Sequence, residues 1–265
     1  MNSMETIGGY ELGKVYAEDC LVALKRIPDN SIDFIFTDPP YGHNNNNGDM
    51  ASRRESIFEK RTEKYVPESE WRPIANDGIE ANELVRQSFA EFNRILKAGS
   101  CCCCCCCCGG GPDPQFARWS QWIDEAIGFK MMVVWDKGKM GMGHHYRRSY
   151  ETILVAQKKG GATKWYAESK DIENIIRPND YGIAKIIPAF DQHPTEKCVE
   201  LSSHFIKLHT LENDIVLDCF AGSGSTLQAA KQLNRRFIGF DIDLKWAIKA
   251  QQRADAARYN ERLAL

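Results

Sequence analysis

Asp214-Ile215-Val216-Leu217-Asp218-Cys219-Phe220-Ala221-Gly222-Ser223-Gly224-Ser225-Thr226 opens a segment that ends at Arg236-Phe237-Ile238-Gly239-Phe240-Asp241. A short aliphatic run bounded by polar residues predicts a buried parallel strand. Gly222 and Gly224 then permit a tight turn and close approach of a ligand to the backbone. A helical pattern begins at Ser225-Thr226 and reaches Leu233, and a second apolar run closes on Asp241, nineteen positions after Gly222. Strand, glycine turn, helix and an acid-terminated strand form a nucleotide-binding unit, whose last carboxylate can accept from both ribose hydroxyls. The third glycine of the dinucleotide fingerprint is absent, with Leu227 in its place. A mononucleoside cofactor therefore fits better than a nicotinamide dinucleotide.

Outward from this unit the same alternation continues. Ser31–Thr37, Met131–Trp135 and Thr152–Ala156 read as further buried parallel strands, and helical patterns cover Glu80–Lys97, Phe116–Ile127, Thr195–Leu208 and Leu244–Arg262. Strands alternating with helices predict an α/β fold built on a doubly wound parallel sheet. At 265 residues, with 43% hydrophobic and 26% charged residues, residues 1–265 suit one large domain. Gly42–Asp77, rich in Asn, Gly, Glu and Arg, is expected to be a long mobile loop; Gly160–Gln192 suggests a small target-recognition element. No apolar run is long enough to span a bilayer, and the first residues lack an apolar signal core, so a cytoplasmic protein is expected.

Thr37-Asp38-Pro39-Pro40-Tyr41-Gly42 follows the first of these strands. An exocyclic amine on a nucleobase is a poor nucleophile, because its lone pair is delocalised into the ring. Acceptors at its two hydrogens favour the tetrahedral geometry that attack requires. The Asp38 carboxylate supplies one acceptor, and a carbonyl in the stiff Pro39-Pro40 segment supplies another. Tyr41 offers a flat face for a flipped base.

Eight consecutive cysteines, Cys101 to Cys108, suit neither a disulfide framework nor spaced metal ligands. They can form a strand of small apolar side chains; a low-complexity stretch foreign to the fold and a metal–thiolate tract are the competing readings. Cys20, Cys198 and Cys219 read as small buried residues, and no metal site is expected. The net charge is −2, yet Gly128–Lys170 carries nine Lys or Arg against three acids. That excess suits either a solvated face or a phosphate-facing surface.

Together these motifs resemble those of the S-adenosylmethionine-dependent DNA amino-methyltransferases, in the group whose catalytic motif precedes the cofactor motif. Thr37–Gly42 resembles the family's catalytic motif and Leu217–Thr226 its cofactor loop. His193-Pro194-Thr195-Glu196-Lys197 resembles the stretch that helps hold the methionine end, and Ala17-Glu18-Asp19-Cys20-Leu21 the strand end beside the cofactor's adenine. Arg147-Arg148-Ser149-Tyr150-Glu151 resembles a segment near the target base.

The resemblance implies a Rossmann-like, mostly parallel, seven-stranded sheet with circularly permuted motif order. It implies catalytic Asp38, Pro39, Pro40 and Tyr41. It implies S-adenosylmethionine held by Asp19, Cys20, Asp38, Pro194, Thr195, Lys197, Asp218, Phe220, Ala221, Gly222, Ser223, Gly224, Ser225, Thr226 and Asp241. Lys137, Lys139, Arg147 and Arg148 would face double-stranded DNA. Asp rather than Ser at position 38 favours adenine-N6 over cytosine-N4 as the acceptor. A catalytically silent DNA-binding module of the same fold is the alternative of a different class. A homodimer would be in keeping with the family, and a paired restriction endonuclease would lie in another chain.

Overall fold

In the computed structural model the described residues are 5–42, 75, 77, 78, 80–106, 115–138, 149–183 and 196–259, with 106, 115 and 116 described in backbone only. A two-stranded antiparallel hairpin, β1 (Thr6–Ile7) and β2 (Tyr10–Glu11), precedes the main sheet. The sheet has eight strands: β3 (Lys14–Ala17), β4 (Ile32–Thr37), β5 (Leu96–Cys106), β6 (Phe129–Asp136), β7 (Tyr150–Gln157), β8 (Ile175–Ile176), β9 (Ile215–Asp218) and β10 (Arg236–Asp241). Their spatial order is β3-β10-β9-β4-β5-β7-β6-β8. The helices are α1 (Cys20–Arg26), α2 (Glu80–Ile95), α3 (Gln115–Ala126), α4 (Val199–His209), α5 (Ser225–Gln232) and α6 (Leu244–Ala256).

The core follows the period of two along each strand. Ile35, Cys102, Cys104, Leu154, Leu217 and Phe240 point to one face, where they join apolar residues of α1, α2 and α3. Phe34, Phe36, Cys101, Cys103, Cys105, Ile153 and Val216 point to the other, against α4, α5 and α6. All six residues of β4 are buried, as expected for a central strand covered on both sides. The cysteine run takes the strand reading: Cys101 to Cys105 are buried within β5, and they, Cys20, Cys198 and Cys219 are free thiols. Among the described residues no group of side chains could hold a metal ion.

Two expectations are corrected. β7 runs antiparallel to both β5 and β6, because an apolar run carries no record of its direction. The seven expected strands gain an eighth, since Ile175-Ile176 pairs with β6 at the sheet edge. That short strand and a single 3-10 turn at Asp180–Gly182 are the only regular structure described in 160–183. Nearly all of Gly42–Asp77, together with 184–192 and Cys107-Cys108, lies outside the described residues. No helix among the described residues is long and apolar enough to cross a membrane.

The order places a topological switch point between neighbours β9 and β4. From β4 the chain moves through α2 to β5 on one side; from β9 it moves through α5 to β10 on the other. Doubly wound sheets bind ligands at the carboxyl ends of the strands at such a point.

Candidate active site

Asp38 follows β4 and Phe220–Gly224 follows β9, so the two motifs, far apart in sequence, meet at adjacent strand ends. Register pairs Phe34 with Val216 and Ile35 with Leu217. One hydrogen bond locks the junction: the Thr37 hydroxyl donates to Asp218 Oδ1 at 2.8 Å. That oxygen also accepts from the Phe220 backbone N–H at 3.1 Å. Burial pushes the Asp218 carboxyl up to about 7, against the opposing pull of those donors and Thr226.

A single cavity is lined by both motifs, with Asp19 and Cys20 from the start of α1, Asp38–Tyr41, Lys197, Asp218–Ser223, Ser225, Thr226 and Asp241. On its cofactor side, Asp241 accepts from the Gly222 N–H at 2.8 Å and from the Asp243 N–H at 2.9 Å. A carboxylate has about four lone-pair sites, so acceptor capacity remains for a diol. Gly224 has a packing role at this turn. Its φ is +80° and a Cβ there would lie 2.7 Å from the Ala250 Cα, so it lets α6 pack against the turn. Asp19 caps α1, accepting from the Leu21 N–H at 2.8 Å.

The catalytic side is a chain of charges. Lys197 Nζ donates to Asp38 Oδ2 at 2.5 Å and to the Tyr41 hydroxyl at 2.9 Å. Tyr41 donates in turn to Asp38 Oδ1. Glu151 Oε2 lies 3.5 Å from Lys197 Nζ, and Lys137 Nζ donates to Glu151 Oε1 at 2.5 Å. Burial pushes the Asp38 carboxyl above its ordinary range, and Lys197 and Tyr41 only partly offset it. Burial also acts to raise Glu151, but Lys197 and Lys137 outweigh it and hold that carboxyl below its ordinary range. Lys197 stays protonated despite burial because Asp38 and Glu151 flank it.

The structure thus gathers Asp38, Pro39, Pro40, Tyr41, Lys197 and the Asp218–Asp241 residues around one cavity. Pro194, Thr195, Lys139, Arg147 and Arg148 lie outside the described residues. Lys137 sits in the charge chain, its ammonium on Glu151 and 5.1 Å from the Trp135 ring centre. Part of the basic excess in 128–170 also pairs within the protein. Lys164 pairs with the buried Asp33 at 2.9 Å, and Lys158 donates to Asn30 and to the Arg94 carbonyl. Sequence reasoning missed Arg253, which donates to Glu196 at 2.6 Å and to Ser223, tying the cofactor loop to the segment that carries Lys197. It also missed Trp246 as a lining residue, and no local signal pointed to either.

Small and apolar residues beside a diol-accepting acid suit an adenosine, and the buried carboxylate with its neighbouring backbone acceptor suits a planar amine. The donor set therefore fits S-adenosylmethionine. A glycine-turn cofactor half and a carboxylate half facing one cavity define a group-transfer enzyme acting on such an amine. Comparison with known proteins makes this specific. A family model described as DNA methylase, covering N6 and N4 amino-methylation, matches residues 32–252, and the chain belongs to that family of S-adenosylmethionine-dependent DNA amino-methyltransferases. It is 30% identical over 289 residues to the Type II methyltransferase M.HindIII of Haemophilus influenzae, covering 86% of this chain and 90% of that one. It is 26% identical over 281 residues to the DNA adenine methyltransferase YhdJ of Escherichia coli, covering 95% and 85%. Among solved structures the fold is similar to the M1.HpyAVI–SAM complex, with a TM-score of 0.60 at 24% identity over 91% of this chain and 98% of that one.

Proposed function

We propose that this chain methylates the N6 amine of an adenine flipped out of double-stranded DNA. The observation that carries the reading is the Asp38 carboxylate, held by Lys197 and Tyr41 in the same cavity as Gly222 and Asp241. When bound, S-adenosylmethionine supplies a methyl group on a sulfonium. Asp241 takes the ribose hydroxyls, while Ala221 and Gly222 let the backbone approach the cofactor closely. Asp38 and the Pro39 carbonyl accept the two amine hydrogens, which favours the pyramidal nitrogen that attacks. Lys197 opposes the rise that burial imposes on the Asp38 carboxyl and so favours its charged form. Tyr41 offers its ring to the base, and the basic segment with Lys139, Arg147 and Arg148 meets the phosphates.

Adenine is preferred over cytosine because aspartate stands at position 38 and because the relative YhdJ is described as an adenine methyltransferase. Nucleosides from the DNA of cells expressing the chain, separated by mass, test the proposal. N6-methyladenine is expected. N4-methylcytosine would overturn the base assignment, and absence of both would favour the silent DNA-binding module.

A further inference from the structure

Glu151 has no part in the transfer as set out above, yet the structure spends much on holding it. It is the second residue of β7, opposite Trp135 of β6 in the antiparallel register. The same ladder continues past β6, where the Lys137 N–H donates to the Ser149 carbonyl at 2.8 Å. Lys137 and Glu151 are thereby brought together from the two ends of the intervening connection. Glu151 Oε1 accepts from the Lys137 ammonium. Oε2 is buried, makes no hydrogen bond among the described residues and lies 3.5 Å from Lys197 Nζ. One ammonium thus stands between two carboxylates, tightly on Asp38 and more loosely on Glu151.

We propose that Glu151 is a positioning residue for the transfer step: clamped by Lys137, it sets how firmly the Lys197 ammonium holds Asp38, and so in which protonation state Asp38 meets the target amine. The proposal rests on the methyltransferase reading above. Its physical basis is Coulombic. A second carboxylate near the lysine competes for the cation and repels charge on Asp38, while Lys137 limits that repulsion by compensating Glu151. Among the described residues, the other groups facing Asp38 are Tyr41, Lys197, the Cys105 thiol of β5 and Asp218 at the end of β9. Burial holds the Cys105 thiol far above its ordinary range, so it stays neutral. Burial also raises the Asp218 carboxyl, to about 7, so the test is the difference between variants and not any one midpoint.

Two substitutions should move Asp38 in opposite directions. Glu151→Gln removes the competing charge and should lower the acid-side midpoint of the kcat–pH profile by about one unit. Lys137→Met leaves Glu151 uncompensated towards Asp38 and should raise that midpoint. In both, KM for DNA should change less than kcat. Carbon-13 NMR of carboxyl-labelled aspartate, assigned with an Asp38→Asn spectrum, reads the same midpoints without turnover. A midpoint that stays put in either variant, or two that move together, overturns the proposal. Should Glu151→Gln fail to fold, the upward shift in Lys137→Met decides alone. Because the NMR midpoints need no methyl transfer, a chain that methylates cytosine, or nothing, would break the functional reading without deciding this one.

Discussion

Two aspartates mark the ends of β4, and they are opposites. Asp33, at the entry of the strand, is 3% exposed, and both its oxygens accept from Lys97 at 2.8 Å. It also accepts from Lys164 and from the Ile215 N–H. Burial acts to raise its carboxyl, but these donors win and hold it below the ordinary range. Asp38, just past the exit, has one lysine shared with Glu151 and one tyrosine, and burial wins instead. The same residue type is over-compensated at one end of the strand and under-compensated just beyond the other. Incomplete compensation beside a cavity is what leaves a carboxylate able to do chemistry.

The comparison is broken most severely by Asp38→Ala. Transfer should fall by at least about a hundredfold, since one of two acceptors at the amine is lost, while calorimetry shows cofactor binding retained. Near-normal turnover would remove the catalytic assignment. Asp33→Ala should do the reverse, costing about 2–3 kcal/mol in urea unfolding because two lysines lose a shared buried partner, with activity of the folded protein unchanged.

That second effect should depend on pH with a definite sign. Asp33 is held below its unfolded pKa of about 3.9, so its contribution is full above that value. It is lost as pH falls through the still lower folded value. The gap in melting temperature between wild type and Asp33→Ala should therefore close only in strong acid. A gap that closes near neutrality would contradict the pairing.

Asp241→Asn should weaken cofactor binding by about tenfold, as one charged acceptor becomes neutral, without moving the pH profile of transfer. The smallest effect is expected from Lys158→Ala. That lysine works at the Asp33 end of the sheet, so DNA affinity and its salt dependence should stay within about twofold of wild type.

What could be read in the sequence beforehand followed the range of the interactions. The strand–turn–helix around Gly222 and the Asp38 turn are local, with composition and spacing fixing them within a dozen residues. The acid of β10 was legible because one helix of standard length separates it from the glycines. The charge chain was not. Lys197 meets Asp38 across 159 residues, and nothing beside Lys197 says which carboxylate it will face. Glu151 and Lys137 come together only once β6 and β7 pair in antiparallel fashion, a direction that side-chain pattern does not encode. Lys164 looked like a solvated cation and is a paired, partly buried one, because its partner Asp33 lies in a buried strand.

The cysteine strand has a consequence of another kind. Strand register is ordinarily written in side chains of differing size and polarity, so a slip exposes a mismatch. Along Cys101–Cys105 a slip of one or two places exchanges thiol for thiol, and the neighbours on β4 and β7 meet the same surface again. That stretch is a ruler without graduations. Alignment must then come from its beginning, where Gly99 at φ +79° sits against the Ala162 carbonyl, 2.0 Å from where a Cβ would be. The Gly99 N–H donates to the Lys158 carbonyl there, and its own carbonyl accepts from the Lys164 N–H. One glycine before the run thus carries positional information for the strand beside β4, and replacing it should scramble alignment rather than merely weaken packing.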